Sequence, residues 1–597
     1  MTELLKHLDP GKWHLAGLIL NSLKGVAAKA DISDFDLNVE DVYSFMEQPK
    51  EKQFGDFSLP CFRFAKPLKS APPQIANTIK SDLESLSDSW ISKIDVKAAF
   101  LNFYIDVSKM AEVTLPAIKD GRYFKYLSDS SENQSGKVMI EFSQPNTHKE
   151  FHVGHGRNVC LGDSIVKIYK YNGFNVMPVN YIGDEGTHVA KCLWQIDNYD
   201  GPGPEGNKGE WYGQRYVEAN NKIKDADDET RKTYNEQVSK ILAALESKEG
   251  KFYDLWLSTK KDCMESFYEV YKWLNVHFDH YFYESEVSEE SQSIVQEYKE
   301  KGLFTESDGA YGIDMKPYKL GFFMAQKSDG NTLYITKDLA LAKRKFEDFG
   351  ITSSIYVVGD EQNFHFKQLF KALELMGFEQ AKNCYHLSYG MVVRPEGKMS
   401  SRAGNSFTFF QLKNLVEEAL KDNLTKYEEK WSQEEINHTA YLLAKGAIKY
   451  GMLATDPVKE IVFDPKGWVS FEGNTGPYLM YAYARSKSIL KKADAENLSP
   501  SFENLKLLTE EVERNLLRDI YNFNNTVVSA CNAKKPSIIA NYIFDLSKSF
   551  SRFYREAPIM KLDNNELRTA RLALVEAFAK TSHKALELLG IEPPEKM

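Results

Sequence analysis

Short apolar runs alternate with helical patterns through the middle of the chain. The runs are rich in β-branched and aromatic residues, which favours strands over helices at these lengths. We assign strands to residues 137–142, 175–182, 333–337, 353–358 and 385–392. Strands that alternate with helices in this way predict a Rossmann-like, doubly wound parallel sheet, which binds its ligands beyond the carboxyl ends of the strands.

The last third of the chain shows almost no strand signal. Ser432 and Glu435 form a capping-box sequence, which predicts the start of a helix. Apolar residues then recur at helical spacing in two stripes, Ile436, Ala440, Leu443 and Ala447, and later Leu567, Leu574, Phe578, Ala585 and Leu588. The second stripe ends at Gly590, a residue type that favours helix termination. This part is predicted to be an α-helical bundle.

Three domains are expected from these patterns, which suits a chain of 597 residues. An N-terminal α+β domain would occupy residues 1–115, and the polar stretch at 130–136 is typical of a linker. A Rossmann-like domain would occupy residues 116–410, with a helical insertion near 201–290. Within it, we interpret the stretch from 201 to about 250 as a solvated helical flap. An α-helical domain would occupy residues 411–597.

Composition narrows the class of protein. The hydrophobic share of 42% is ordinary for a soluble globular chain, and no apolar run reaches the roughly 18 residues that span a bilayer. The six cysteines contain no CxxC pair, which argues against a zinc site or a disulfide framework and fits a reducing compartment. The net charge of −10 restricts any nucleic-acid contact to a local basic patch. We therefore expect a cytoplasmic protein that contacts no membrane and holds no metal ion through its own side chains.

The most informative cluster follows the first predicted strand of the sheet and opens a predicted helix. It contains Lys149, His152, Gly154 and His155. A strand-to-helix turn offers free N–H groups and a positive dipole end, both of which suit phosphate. The two histidines lie about one helical turn apart and can face the same phosphate, while the glycine permits close approach of a ligand. This pattern predicts a nucleotide-phosphate site.

A second cluster, Lys398-Met399-Ser400-Ser401-Arg402, follows another predicted strand. It supplies cations and hydroxyl donors that suit a polyanion. Either cluster alone would be a weak signal, because patterns this short occur by chance. The pair, in this order, resembles the two ATP-binding signatures of class I aminoacyl-tRNA synthetases, the HIGH and KMSKS motifs. That resemblance implies ATP as a substrate and Mg²⁺ as its companion ion.

Further motifs carry a closer resemblance, which covers the chain nearly end to end. They are Gln144-Pro145-Asn146, residues 180–187 and 334–340, Gln362 with His365 and Gln368, Glu472–Arg485, and the ending Leu588–Met597. This set is similar to that of the arginyl-tRNA synthetases. Three positions depart from the family pattern, since Gln144 stands where Ser is usual, and Lys337 and Lys596 stand where Arg is usual.

The resemblance implies a reaction and a set of residues. ATP would activate L-arginine to arginyl-adenylate with release of pyrophosphate, and arginine would then pass to tRNA(Arg) with release of AMP. Catalytic roles fall to Lys149, His152, His155 and Lys398. ATP contacts fall to His152, Gly154, His155, Asn158, Lys398, Met399, Ser400 and Arg402. Arginine contacts fall to Glu141, Gln144, Asn146, His155, Tyr334, Asp338 and Gln362.

Other properties also follow from the resemblance. Ser401 stands where class I enzymes usually carry a second lysine, and the family pattern implies that Lys149 replaces that charge. The family typically needs bound tRNA before it activates arginine. The helical domain would read the anticodon, and the N-terminal domain would grip the corner of the folded tRNA. We expect the protein to be a monomer.

Several assignments have a structural alternative. Glu141 is equally compatible with a salt-bridged strand residue, and Asp184 and His188 fit structural roles better than substrate contact. For any one of the tyrosines in 478–483, packing is favoured over stacking on an RNA base.

Two other functions compete for the whole chain. One is a catalytically inactive synthetase-like protein that binds tRNA or serves as a scaffold, against which the intact Lys149, His152 and His155 speak. The other is a different class I enzyme, such as a cysteinyl or glutamyl synthetase. A cysteinyl enzyme would need zinc ligands, which the scattered cysteines do not provide.

Overall fold

The computed structural model describes residues 2–49, 51–129, 136–327, 334–394, 397–398 and 407–597. For Tyr334 and Lys398 it describes the backbone alone. Met399, Ser400 and Arg402, which we expect to contact ATP, lie outside the described residues. No helix in the described part of the chain is long and apolar enough to cross a membrane.

The N-terminal part combines helices with a small antiparallel sheet of strand order β1-β3-β2. Its elements are α1 (Thr2–Leu8), α2 (Pro10–Lys29), α3 (Val39–Phe45), β1 (Phe57–Pro60), α4 (Pro72–Ser85), β2 (Ile91–Lys97) and β3 (Phe100–Ile105). We call residues 2–105 the N-terminal module. β3 confirms the strand signal in this part of the sequence. Helix α5 (Val107–Lys119) leaves the module and packs among the C-terminal helices.

Five parallel strands form the central sheet, in the order β11-β10-β4-β5-β6. They are β4 (Lys137–Glu141), β5 (Asn175–Ile182), β6 (His280–Tyr283), β10 (Ile351–Gly359) and β11 (Cys384–Tyr389). Helices α6 (Val153–Tyr171), α12 (Tyr334–Phe349) and α13 (Asn363–Leu375) lie between them in the chain. The strand order reverses between β4 and β10, and the carboxyl ends of these two strands border the crevice where such sheets bind ligands. The predicted doubly wound parallel sheet is confirmed.

One predicted strand is wrong, and one strand of the sheet was not predicted. Of the segment assigned to a strand at 333–337, residues 334–337 instead begin α12, and residue 333 lies outside the described residues. Buried Ile335, Leu339, Ala342 and Phe346 recur there at three- and four-residue spacing, which places them on one face of a helix but not of a strand. The unpredicted strand is β6, which lies within the predicted insertion. It is only four residues long and therefore leaves little periodic signal.

The helices inserted between β5 and β6 support the loop that follows β4. They are α7 (Thr187–Asp197), α8 (Lys208–Asp225), α9 (Asp228–Glu246) and α10 (Lys251–Leu274). The hydroxyls of Tyr271 in α10 and Ser143 in the loop are hydrogen-bonded at 2.8 Å, and Trp256 Nε1 donates to the Asp184 carbonyl at 2.7 Å. Within the stretch 201–250, Tyr212 and Tyr216 of α8 are buried, and a Cβ on Gly213 would lie 2.8 Å from the Glu150 backbone nitrogen. The interpretation of that stretch as a solvated flap is therefore wrong for α8.

A second insertion follows β6. It contains α11 (Ser288–Glu300) and a three-stranded antiparallel sheet of β7 (Thr305–Ser307), β8 (Ala310–Asp314) and β9 (Phe322–Gln326).

The C-terminal part is helical, as predicted. Its helices are α14 (Phe409–Leu424), α15 (Gln433–Leu453), α16 (Pro465–Trp468), α17 (Gly476–Ala495), α18 (Glu511–Tyr521), α19 (Phe523–Ala533), α20 (Pro536–Glu556) and α21 (Asn565–Leu588). The capping box at Ser432 is present, and all residues of the two predicted stripes except Leu567 are buried. A short strand, β14 (Ile461–Val462), pairs with β12 (Val392–Arg394), whose other partner is β13 (Gly397–Lys398).

Helix α6 joins the central sheet to the C-terminal helices. Its Asp163 pairs with Lys449 of α15 at 3.1 Å, and Tyr171 at its end donates to Asn524 Oδ1 of α19 at 2.8 Å. Asn524 Nδ2 in turn donates to the carbonyl of Tyr123, just after α5, at 2.9 Å. These bonds connect the end of α6 with two other parts of the molecule.

A buried contact joins the N-terminal module to the C-terminal helices. The hydroxyl of Tyr521 donates to Asp9 Oδ1 and accepts from the Gly11 backbone N–H at 3.0 Å. Burial raises the pKa of the Asp9 carboxyl, which is 1% exposed.

Candidate active site

The loop between β4 and α6 has a strained backbone. Ser143, Gln144 and His148 have φ values of 81°, 41° and 60°, in the left-handed region that residues with a Cβ rarely adopt. The Thr147 backbone N–H donates to the Gly183 carbonyl at 2.9 Å and helps to hold this conformation. The loop thereby presents its side chains at the carboxyl edge of the sheet.

His152 and His155 cap the first turn of α6. Nδ1 of each ring accepts from the backbone N–H of the other residue, at 3.4 Å for His152 Nδ1 and 3.2 Å for His155 Nδ1. The rings stack with centroids 3.8 Å apart. Burial, together with the charge of Lys149, lowers the pKa of His152 to about 4 and that of His155 well below its usual value. Both rings are neutral at pH 7, and since Nδ1 accepts, each carries its proton on Nε2 and can donate it to a phosphate oxygen.

Gly154 makes room for this pair. A Cβ at this position would lie 2.9 Å from Cε1 of His152, so a larger residue would displace the ring from the helix start. Lys149 precedes the pair, and its Nζ lies 5.5 Å from the centre of the Tyr216 ring in α8. A cation and two neutral donors therefore share the amino end of α6, where the helix dipole also favours an anion.

Asn158 connects α6 to the strained loop. Its Nδ2 donates to Gln144 Oε1 at 3.0 Å and to the Tyr389 hydroxyl at 3.1 Å, and its Oδ1 accepts from the Ser143 N–H at 2.6 Å. Both ends of this carboxamide are thus engaged within the protein. Its predicted contact with ATP stays a prediction.

Arg157 connects α6 to the segment that leads into the second motif. The buried guanidinium donates to the carbonyl of Gly390, between β11 and β12, and to that of Pro457 at 3.1 Å. Burial lowers the pKa of this guanidinium to about 10, so the group remains charged at pH 7. Strands β12 and β13 then carry the chain to Lys398.

Glu141 ends β4 with a buried carboxylate. Its Oε2 is paired with Nζ of Lys345 in α12, a lysine with no exposed surface, and its Oε1 accepts from Gln144 Nε2 at 3.2 Å. The lysine ammonium also lies 4.0 Å from the ring centre of Tyr356. Glu141 is therefore salt-bridged, which was one of its two interpretations, and contact with arginine stays a prediction.

Asp338 and His365 come together at the same edge of the sheet. Asp338 lies one turn after Tyr334 in α12, and its Oδ2 is 2.7 Å from Nε2 of His365. The carboxylate is 24% exposed and so remains accessible to a ligand. Gln362 is exposed at the start of α13, while Asn146 is half-buried in the loop after β4. The roles of these residues in binding arginine stay predictions.

Sequence reasoning missed Glu284, which directly follows β6. This buried carboxylate accepts from Lys337 Nζ at 3.1 Å, and burial raises its pKa to about 7. Glu284 also lies near Asn146 of the loop after β4, because both side chains approach Gly183. A Cβ on Gly183 would lie 2.3 Å from Asn146 Oδ1 and 3.6 Å from Glu284 Oε2. An acidic residue directly after a strand of the sheet is the sequence signal that could have identified Glu284. This signal was not recognised, because β6 was not predicted.

Asp184 has the bonding of a structural residue. It is fully buried, accepts from the backbone N–H and hydroxyl of Ser285 at 3.0 and 2.7 Å, and pairs with Lys260 at 2.5 Å. Burial lowers the pKa of the nearby His188 well below its usual value, so this ring is neutral.

An aromatic and cationic cluster lies on the surface of the C-terminal helices. The guanidinium of Arg485 lies between the rings of Tyr481 and Tyr554, 4.6 and 5.1 Å from their centres. Tyr554 is 44% exposed. Tyr483 is instead buried and donates to Glu595 at 3.0 Å. Packing therefore accounts for Tyr483, and Tyr481 belongs to the surface cluster.

Comparison with known families divides the chain into three matches. Residues 16–105 match the arginyl tRNA synthetase N terminal domain, and residues 121–465 match the catalytic domain of class I (R) tRNA synthetases. Residues 479–597 match the DALR anticodon binding domain.

Curated relatives match over nearly their full length. An arginine–tRNA ligase of Bdellovibrio bacteriovorus is 42% identical over 97% of this chain and 98% of its own. One of Halothermothrix orenii is 35% identical over 94% and 97%. Among solved structures, the arginyl-tRNA synthetase of Thermus thermophilus has a TM-score of 0.76 at 25% identity, covering 92% of this chain and 96% of that one. The Plasmodium falciparum enzyme, with a TM-score of 0.74 at 21% identity over 98% of each chain, shares the fold.

Proposed function

The chain belongs to the arginyl-tRNA synthetase family and is an arginine–tRNA ligase, and we propose that it activates arginine at the carboxyl edge of the central sheet. Its substrates are ATP, L-arginine and tRNA(Arg). The observation that carries the proposed site is the reciprocal cap of His152 and His155, because it leaves two neutral Nε2–H donors beside the amino end of α6.

The first step is attack of the arginine carboxylate on the α-phosphorus of ATP. A bond forms between a carboxylate oxygen and phosphorus, and the bond to the bridging oxygen of pyrophosphate breaks. Negative charge grows on the phosphate oxygens in this transition state, so preorganised donors and cations lower the barrier. We assign His152 and His155 to the phosphates, Lys149 to the α-phosphate and Lys398 to the departing pyrophosphate, with Gly154, Met399, Ser400 and Arg402 completing the ATP contacts.

Arginine recognition requires acceptors arranged around a planar cation with five N–H donors. We assign Asp338 as the carboxylate partner of the guanidinium, because it is partly exposed at the mouth of the site, with Tyr334 and Gln362 beside it. Asn146 would hold the α-amino or α-carboxylate end. Glu284 is a second carboxylate candidate. We assign Gln144 and Asn158 to positioning the loop, since their carboxamides bond to each other.

In the second step, a terminal ribose hydroxyl of tRNA attacks the arginyl carbonyl and AMP leaves. We propose that the Tyr481, Arg485 and Tyr554 cluster meets unpaired anticodon bases, because bases stack on aromatic and guanidinium planes. The N-terminal module would contact the corner of the tRNA. Its exposed Arg63 and Lys66 suit phosphates.

Three further properties are part of the proposal. Mg²⁺ would accompany the ATP phosphates and neutralise part of their charge. The enzyme would act as a monomer. It would work in the cytoplasm, where its six free thiols remain reduced.

A charging assay tests the function. Purified enzyme, ATP, Mg²⁺ and tRNA are incubated with each of the twenty amino acids in turn, and aminoacyl-tRNA is quantified. Arginine should be charged with by far the highest kcat/KM. More efficient charging of another amino acid, or no charging at all, would contradict the proposal. Measurement of the molecular mass in solution checks the monomeric state, and cell fractionation checks the cytoplasmic location.

A further inference from the structure

The loop that carries Lys149 is anchored by a residue that the mechanism above does not use. His148 has no exposed surface. Its Nε2 lies 2.8 Å from Thr259 Oγ1 in α10, and its Nδ1 lies 2.9 Å from Thr147 Oγ1. Its backbone N–H donates to Cys263 Sγ, also in α10, at 3.3 Å. Ring and backbone together attach this residue to the insertion.

The hydrogen bonds around the ring fit one neutral tautomer. The Thr259 hydroxyl donates its proton to the Leu255 carbonyl at 2.8 Å, so its oxygen accepts from Nε2–H of His148. Nδ1 is then the acceptor and receives the Thr147 hydroxyl proton, because that hydroxyl lies 2.9 Å from Nδ1 and 3.4 Å from its other acceptor, the Gly183 carbonyl. Burial lowers the pKa of His148 to about 3, which agrees with a ring that stays uncharged.

Helix α8 completes the support on the other side of Lys149. A Cβ on Gly213 would lie 2.8 Å from the backbone nitrogen of Glu150, so the loop and this helix are in close contact. Tyr216, one turn further along α8, is the ring beside Lys149 Nζ. The residues before and after Lys149 are thus each in contact with an insertion helix, so the backbone of the lysine is held between two anchored positions.

We propose that His148 is a positioning residue for Lys149, and that its imidazole locks the loop to α10 so that the lysine reaches the α-phosphate. This inference rests on the proposed role of Lys149. The backbone supports it, because a φ of 60° strains any residue with a Cβ and would suit glycine. The strain is tolerated in exchange for the contacts of the ring.

The same backbone provides a clean test. His148→Gly removes the imidazole from a position whose φ glycine adopts without strain, and it leaves a cavity lined by two hydroxyls. Misplacing a catalytic group should lower kcat for arginine-dependent pyrophosphate exchange, measured with saturating tRNA present, by about 10- to 100-fold, with the KM values for arginine and ATP near wild type. Added imidazole should restore much of the lost kcat, and more at higher pH, where a larger share of it is neutral.

Matched variants separate the outcomes. Asn497→Gly changes an exposed residue with a φ of 57° and should leave exchange unaltered. Thr259→Val keeps the shape of the ring's partner but removes its hydroxyl, and it should lower kcat in the same direction but less. It also tests the inference if the glycine variant does not fold. Lys149→Ala should be slow and should not respond to imidazole.

Three results would overturn the inference. They are a wild-type kcat in both His148→Gly and Thr259→Val, a change in KM alone, or a slow glycine variant that imidazole does not accelerate. If Lys149→Ala itself exchanges pyrophosphate at the wild-type rate, the assignment of Lys149 in the proposed function fails instead.

Discussion

At the scale of single residues, Lys149 is the most demanding assignment. Ser401 cannot place a charge on the α-phosphate, so Lys149→Ala should lower kcat for pyrophosphate exchange, measured with tRNA present, by roughly 100- to 1000-fold. The loss should exceed that from Lys398→Ala. Lys170→Ala, at an exposed position near the other end of α6, is the control and should be nearly silent. Steady-state exchange rates of the three variants decide the matter, and an equal or larger loss from Lys398→Ala would contradict the assignment.

Asp338 tests the arginine pocket. In Asp338→Asn the guanidinium loses a charged acceptor, and hydrogen bonds to charged groups are worth about 1.5–3 kcal/mol, or roughly 10- to 150-fold in kcat/KM for arginine. The partial exposure of the carboxylate keeps the expected loss in this moderate range. The KM for ATP should change little. Asp348→Asn, at the exposed end of the same helix, is the control. Unaltered arginine kinetics in Asp338→Asn would place the pocket elsewhere.

His148 also makes the stability of the enzyme depend on pH. The unfolded chain takes up a proton at this residue near pH 6.5, whereas burial holds the folded pKa at about 3. Above pH 6.5 both states are neutral. As pH falls from 6.5 toward 3 only the unfolded state gains the proton, so the free energy of unfolding drops by about 1.4 kcal/mol per pH unit from this group. Urea unfolding at pH 7.5 and 5.5 should show a smaller acid-induced loss in His148→Gly than in wild type. Equal losses would indicate a folded pKa near the ordinary value.

Spacing alone grouped candidate site residues that lie close together in the chain, whereas distant candidates such as Asp338 and Gln362 came only from the family resemblance. Lys149, His152 and His155 fall within seven consecutive positions at a predicted helix start, so their spacing alone indicates that they lie close together. Lys345 and Glu141 are 204 positions apart, and no local pattern links them. A lysine on the apolar face of α12 was the one available sign, and it was hidden while the start of that helix was assigned to a strand.

At the scale of elements, the contact between α8 and the loop can be tested with one methyl group. Alanine is favoured over glycine in a helix by about 1 kcal/mol, but the Cβ of Gly213→Ala would approach the Glu150 backbone to 2.8 Å. The substitution should push α8 away from the loop and lower kcat for activation. Gly17→Ala in α2, where nothing lies within 4 Å of the new atom, should instead be neutral or slightly stabilising. Thermal unfolding measures the stability of the two variants, and pyrophosphate exchange measures their activity. An active, stabilised Gly213→Ala would show that α8 and the loop can move apart without loss of function.

Element prediction succeeded where the pattern was long. Helices α15 and α21 are 21 and 24 residues long and carry buried stripes, and their type, the start of α15 and the end of α21 agreed with the sequence. The failures concern short or mixed segments. The four residues of β6 are too few to show a period, and the β-branched start of α12 imitates a strand until its later turns are included.

At the scale of the whole molecule, the buried contact between Tyr521 and Asp9 should control tRNA affinity. Tyr521→Phe leaves the Asp9 carboxylate and the Gly11 N–H without the hydroxyl, and an unsatisfied buried polar group costs about 1–3 kcal/mol. The N-terminal module should then be held less firmly. Because two linked contacts on one ligand combine through effective concentration, the KM for tRNA should rise while kcat at saturating tRNA is retained.

The control for this variant is Tyr104→Phe. Its hydroxyl donates to the Gln53 carbonyl within the module itself, so it should leave tRNA affinity unchanged. Aminoacylation kinetics with varied tRNA provide the measurement. An unaltered KM for tRNA in Tyr521→Phe would mean that other contacts fix the module.

Helix α6 sets a limit on how far the enzyme can be simplified. Its 19 residues make a rod roughly 28 Å long, with the histidine pair at one end and Tyr171 at the other. A trimmed fragment that kept only the sheet and its motifs would remove Lys449 and Asn524 from this helix. Asp163 would keep only its pair with Lys167 of α6, and Tyr171 would lose the acceptor of its hydroxyl. Engineers who seek a minimal arginine-activating fragment must therefore redesign the far end of α6, although it lies a full helix length from the chemistry.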